Sequence, residues 1–186
     1  FAFGHGMLNV GEALAPSVVR GVKAHIDPEA VTIIDAAPGT ACPVVEAVDG
    51  ADAVWLVTEP TPFGLNDLKL ALGLSLKAGV PTGIIVNRSD GSDRLIADYA
   101  EQVGVPIVGR IPFKRAYAEA YSRGDILAME FPEVRDGLLD MFERMSVAAA
   151  AVPPEELLTV DDRGGGRFEP GDSPDYREIT VISGKG

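Results

Sequence analysis

The chain has 186 residues, enough for one ordinary domain with a full core. Its 46% hydrophobic and 24% charged content is that of a globular protein, and 28 acidic against 16 basic residues give a net charge of -12. That balance argues against a nucleic-acid or anionic-membrane surface. A single cysteine, Cys42, excludes an internal disulfide and cannot by itself hold zinc or an iron–sulfur cluster. No signal peptide is visible and no apolar run approaches the ~20 residues of a membrane span, so a cytoplasmic setting is expected.

Taken in chain order, Glu12 to Ala24 reads as a first helix. Val31 to Asp35 (VTIID) is a short apolar run that ends in a carboxylate and enters the loop Ala36-Ala37-Pro38-Gly39. Ala53 to Thr58, Gly83 to Asn87 and Pro106 to Ile111 repeat the form. Continuous apolar runs of this kind predict strands buried on both faces of a parallel sheet. Between them, Leu65 to Ala78 places Leu65, Leu68, Leu72 and Leu76 on one helical stripe, and Asp93 to Val103 ends at Gly104, where a left-handed cap is expected. A further helix spans Val134 to Ala151. The alternation predicts βαβ units, hence an α/β fold with a doubly wound, mostly parallel sheet.

The character changes after residue 151. Val152 to Tyr176 is rich in proline, glycine and acid, with little apolar periodicity, and reads as a flexible linker. Residues 177–186 (REITVISGKG) then read as a strand passing into the start of a phosphate-binding loop at Gly184, Lys185 and Gly186. A complete loop needs a further Gly-Lys-Ser/Thr, which this sequence lacks. With Phe1 in place of a methionine, the chain is read as part of something longer: residues 1–151 as the second half of one domain, and 177–186 as the opening of another. The linker has a typical reach of ~25–30 Å, enough to return Glu178 to Ser183 beside Val31 to Asp35. A strand docked on its own sheet and a free tail both remain open.

Several residues carry candidate chemistry. Asp35 ends a strand where ligands of open α/β sheets bind, and it could hold Mg²⁺ or a water on it. Alternatively, it caps the helix that starts near Cys42. Gly39 would let a backbone N–H approach a γ-phosphate. Asn87, followed by Arg88, could pair with the N6 and N7 edge of adenine, or simply open the turn Ser89-Asp90-Gly91. Glu59, in the stiff loop Thr58 to Gly64, could be a functional acid, while Phe63 reads as a packing plug. Cys42 reads as a buried, inert thiol, with a redox role as the alternative.

Four blocks follow one another in an order that resembles a known family: DAAPGTACP at Asp35 to Pro43, TEPTPFGLNDLKL at Thr58 to Leu70, VNR at Val86 to Arg88, and IPF at Ile111 to Phe113. Together they resemble the MinD-type P-loop ATPases, in the subgroup that carries an inserted ferredoxin-like 4Fe-4S domain. The closing ISGKG resembles the start of that family's deviant phosphate loop. The resemblance covers roughly Gly4 to Met145 and implies an incomplete P-loop NTPase fold of the SIMIBI type, with ATP and Mg²⁺ as cofactors. It also implies a 4Fe-4S cluster in the parent protein, not held by this chain.

By that resemblance Asp35 is the magnesium-side aspartate and Gly39 belongs to the loop that senses the γ-phosphate. Asn87, with Arg88 beside it, would meet the adenine base, and Pro112 would lie along it. Lys185, between Gly184 and Gly186, would match the lysine that reaches across a dimer to the partner's nucleotide. The implied partners are a second copy or a paired ATPase domain, and an iron–sulfur or metal-cofactor client. Two positions depart from the pattern. Ala37 stands where a proline is usual, and Lys114 stands where an acid often follows IPF. A non-catalytic α/β scaffold that docks a partner is the competing reading.

Overall fold

A computed structural model describes residues 2–7, 15–151 and 178–183. The linker 152–176 and the residues 184–186 lie outside the described residues. In chain order the elements are α1 (Ala15–Lys23), β1 (Thr32–Ala36), α2 (Cys42–Val48), β2 (Ala53–Thr58), α3 (Pro62–Lys77) and β3 (Thr82–Ser89). They continue with α4 (Arg94–Val103), β4 (Ile107–Pro112), α5 (Arg115–Ser122), α6 (Leu127–Glu130), α7 (Pro132–Ala151) and β5 (Glu178–Ser183). The five strands form one sheet in the order β1-β5-β2-β3-β4, and every adjacent pair is parallel. The α/β reading and the four central strand positions are therefore borne out, with ends shifted by one or two residues.

Handedness decides where the helices lie. The chain steps from β1 through β2 and β3 to β4 in one direction across the sheet, then returns to insert β5 between β1 and β2. Right-handed crossovers moving opposite ways must use opposite faces. Accordingly α2, α3 and α4 cover one face, where Val44, Leu68, Leu72 and Ile96 pack on Val54, Leu56, Ile84 and Val86. On the other face α7 presses Met141 and Met145 against Trp55, Ile85 and Val108. At Gly109 an added Cβ would collide with the Met141 side chain, so the missing side chain lets α7 lie close to β4. The Trp55 indole N–H is buried without a hydrogen-bond partner among the described residues, so this ring contributes as apolar surface against an uncompensated donor.

Three expectations are corrected. The stripe on α3 is not Leu65-Leu68-Leu72-Leu76: Leu76 is exposed, and the buried positions are Leu68, Ala71, Leu72 and Ser75. The helix begins three residues earlier because Pro62 takes its first turn and Thr61 caps it, accepting from the Gly64 N–H at 3.0 Å. Second, β1 is not buried on both faces, since it is an edge strand whose Ile33 is 60% exposed. Third, α5 and α6, absent from the sequence reading, link β4 to α7.

Helix α1 packs beside α2 and anchors to its end. Lys23 donates to the carbonyls of Glu46, Ala47 and Asp49, groups a helix terminus leaves unpaired, and Arg20 pairs with Glu46 at 2.7 Å. Gly104 ends α4 with φ 70, the left-handed cap expected from the sequence.

Of the two arrangements open for the C-terminal strand, the docked one is observed. Thr32 to Ala36 pair with Glu178 to Ile182, and Ala53 to Val57 pair with Ile179 to Ser183. The amides of Ile179 to Ile182 should therefore exchange with deuterium as slowly as those of Val54 to Leu56; exchange at the unprotected rate would refute the docked strand.

Candidate functional site

The carboxyl edge of the sheet gathers the loops that follow β1, β2, β3 and β4, and it is where ligands of parallel sheets bind. Ile34 and Ala36 belong to the core under α2, so strand alternation turns Asp35 to the opposite face, the one α7 shares. Asp35 is exposed, and no hydrogen bond or ion pair to it occurs among the described residues. It does not cap α2. That position belongs to Ala41, which makes no side-chain cap bond. Gly39, in the loop that follows, is exposed with φ 99, a conformation that favours glycine.

Asn87 sits half-buried near the end of β3, opposite Ile111 of β4. By alternation it falls on the same face as Ile85, and so on the face of Asp35. Two strands, β5 and β2, lie between them. The register Asp35–Val181–Trp55–Gly83 sets Asp35 level with Gly83, so Asn87 lies three strand spacings of about 4.8 Å across the sheet and four residues further along it, roughly 20 Å away. The structure does not bring Asp35 and Asn87 into contact. It sets them on one face of the sheet, with β5 ending between them at Ser183, beside Val57. Gly184, Lys185 and Gly186 lie outside the described residues.

Arg88 is the bulged residue of β3. The register passes from Asn87–Ile111 to Ser89–Pro112, and Arg88 takes φ 55, the one positive φ at a non-glycine residue among those described. Its guanidinium lies 3.4 Å from both carboxylate oxygens of Glu59 and 5.2 Å from the centroid of Phe113. Glu59 therefore ties the loop after β2 to Arg88 on the neighbouring strand. Pro112, exposed, ends β4 one register step beyond Asn87.

The loop after β2 is fixed by Thr58, whose hydroxyl donates to the Gly64 carbonyl at 2.9 Å. An added Cβ at Gly64 would fall on the Glu59 carbonyl oxygen, so only glycine allows this turn. Phe63 is 81% exposed and is no packing plug. Cys42 is likewise exposed, not buried, because it opens α2 at the sheet edge.

Sequence reasoning missed a buried polar cluster. The Ser89 hydroxyl donates to the Asp93 carboxylate, 3.0 and 2.8 Å from its two oxygens, and Arg110 Nε reaches Asp93 Oδ2 at 2.9 Å. The spacing of Ser89 and Asp93 reads as a turn followed by a helix cap, and nothing local announces that Arg110 joins them. Lys114 lies at the N-cap of α5 and turns to Glu133 at 3.1 Å and to the Tyr117 ring. Tyr117, then Glu133, hold its ammonium above the usual lysine range. Glu133 is held below the usual carboxylate range, first by its own backbone amide and then by Lys114 and Tyr117.

No group of three or more His, Cys, Asp or Glu side chains fit to hold a metal occurs among the described residues. A single exposed carboxylate fits Mg²⁺ that arrives with phosphates, since that ion keeps most of its water and takes one or two carboxylates. No helix among the described residues is long and apolar enough to cross a membrane.

Comparison with known proteins found similarity to an uncharacterized protein of Methanocaldococcus jannaschii, 34% identical over 122 residues. The match covers 64% of this chain and 42% of that relative, so the chain spans less than half its length. No family model matches the chain, and no solved structure does.

Two outcomes follow from this geometry. Arg88→Gly should change stability by less than ~0.5 kcal/mol, because relief of the left-handed backbone offsets the loss of an exposed ion pair and a cation–π contact. Arg88→Val, β-branched at the same φ, should cost ~1–2 kcal/mol in urea unfolding; equal losses for the two variants would mean that the contacts, and not the backbone, dominate. Glu133, with its folded pKa depressed, stabilises above its unfolded value of 4.5, and that contribution is lost as pH falls through the folded value. Thermal melts between pH 6 and 3 should therefore fall less steeply for Glu133→Gln than for the parent chain.

Proposed function

We propose that this chain supplies the magnesium side and the base side of an ATP site in a MinD-type P-loop ATPase of the 4Fe-4S-associated subgroup. The observation that carries the reading is the position of β5. The strand that leads to Ser183-Gly184-Lys185-Gly186 lies beside β1, with Val181 in register with Asp35. In the P-loop fold, the strand entering the phosphate loop neighbours the strand that ends in the magnesium aspartate. Support comes also from the free carboxylate of Asp35, from Gly39 in a conformation open to close approach, and from Asn87 and Pro112 at the far end of the same edge.

In this reading each residue has one task. Asp35 holds Mg²⁺ through its carboxylate or through a water, and Mg²⁺ supplies charge neutralisation on the phosphates. The backbone at Gly39 offers an N–H toward the γ-phosphate. Asn87 presents its amide to the adenine edge, while Pro112 lies along the ring. Lys185 is the cation that crosses to a partner's nucleotide, so a second copy or a paired ATPase domain completes the site. This sequence contains no Gly-Lys-Ser/Thr, the residues that cradle a γ-phosphate in such loops. The parent protein hydrolyses ATP in the cytoplasm and serves an iron–sulfur or metal-cofactor client. Its 4Fe-4S cluster is held outside this chain.

A second reading, a partner-docking scaffold without nucleotide, is favoured by the exposure of Phe63 (81%) and Phe113 (57%) at the same edge. Calorimetry and phosphate release separate the two. The nucleotide reading expects weak ATP binding that Mg²⁺ strengthens, loss of that strengthening in Asp35→Ala, and negligible phosphate release. Binding indifferent to Mg²⁺ would remove Asp35 from its role. Steady release abolished by Asp35→Ala would mean the chain holds a complete hydrolytic site.

A further inference from the structure

The end of β3 breaks two local rules within six residues. Arg88, a non-glycine residue, is held at φ 55. Asp93, at the N-cap of α4, makes no side-chain cap bond, although aspartate is among the preferred capping residues. Its carboxylate is turned away from the helix amides, with the side chain only 5% exposed, and is spent instead on Ser89 and Arg110. Local rules broken without local gain are expected at functional sites.

Both departures act on the same short piece of backbone. Ser89 is its node. The hydroxyl donates to Asp93 and accepts from the Gly91 N–H at 3.3 Å, and the carbonyl accepts from the Phe113 N–H at 2.9 Å. Arg110, on β4, closes the loop by reaching Asp93 from the neighbouring strand. The bulge at Arg88 is therefore clamped from the α4 side by Asp93 and from the β2 side by Glu59. Immediately before it stands Asn87, and the Phe113 bond draws Pro112 against the same position.

Resting on the nucleotide reading above, we propose that Asp93 is a positioning residue for base selection: through Ser89 and Arg110 it fixes the bulge that presents the Asn87 amide, beside Pro112, to an adenine edge. An amide reads N6 and N7 of adenine with a donor and an acceptor at once, and that fit survives only if its backbone is held still. Asp93 touches no ligand itself. Its removal leaves the phosphate end, at Asp35, unchanged.

The experiment is a titration of the isotope-labelled chain with Mg-ATP and Mg-GTP, followed by amide chemical shifts. In the parent chain ATP should move Asn87 and Phe113 more strongly, and at lower concentration, than GTP. In Asp93→Asn the preference for ATP over GTP should fall about tenfold, the size of one lost bidentate base contact, while the shifts near Gly39 persist. Arg110→Gln, which alters a half-exposed partner of the same carboxylate, should lower the preference in the same direction and serves if Asp93→Asn does not fold. A parent chain that responds to ATP, with both folded variants keeping its preference, overturns this proposal alone. A parent chain in which neither nucleotide moves the carboxyl edge overturns the nucleotide reading and the proposal with it.

Discussion

Backbone groups on the inner edge of β1 and on the facing edge of β2 have one strand between them to pair with, and that strand is β5. Parallel pairing on both sides satisfies these donors and acceptors where the sheet is covered by helices and water cannot. Without it β1 would be held to the domain only through α1 and α2, and two sheet edges would lie open inside the fold. The inserted strand also fixes the direction of the return from β4, and so the face on which α7 lies. The second half of the core, Trp55 and Ile85 under Met141 and Met145, exists because of that return.

The same insertion makes the carboxyl edge a single surface. Loops after β1 and β2 flank the point where β5 ends, and the loops after β3 and β4 lie beyond. The end of β1 carries a carboxylate without a partner among the described residues, and the loop after it a glycine at positive φ; the segments after β2 and β3 and the end of β4 are cross-tied by Glu59–Arg88, Arg88–Phe113 and Ser89–Asp93–Arg110. The described ties thus gather at the β2, β3 and β4 end of the edge.

Stability and site formation are coupled through small residues. Gly64 permits the turn that brings Glu59 to Arg88, and Gly109 lets α7 close on β4. Exposed ion pairs such as Arg88–Glu59 contribute little to folding. Their use here is geometric: they choose one backbone conformation among several of similar energy. The buried Asp93 is different, because losing Ser89 or Arg110 would leave a buried polar group short of a hydrogen-bond partner.

Read alone, the sequence determined the α/β class, the central strands at Ala53 to Thr58 and Gly83 to Asn87, and the cap at Gly104, since apolar runs and glycine act over a few residues. It also marked Asp35 and Asn87 as positions at strand ends and Gly39 in the loop that follows Asp35, while Pro112 entered only through the family resemblance. It could not say that Ile33 faces outward, because edge and centre strands share one composition. Nor could it decide that Cys42 and Phe63 are exposed, that Asp93 leaves its helix for Ser89 and Arg110, or that residues 178–183 dock in the middle of the sheet. The last two depend on partners far away in the chain: Arg110 lies 17 residues from Asp93, and β5 pairs with strands more than a hundred positions earlier. Local pattern fixes what a segment can become, and long-range pairing decides which of its groups are used and which are left for a ligand.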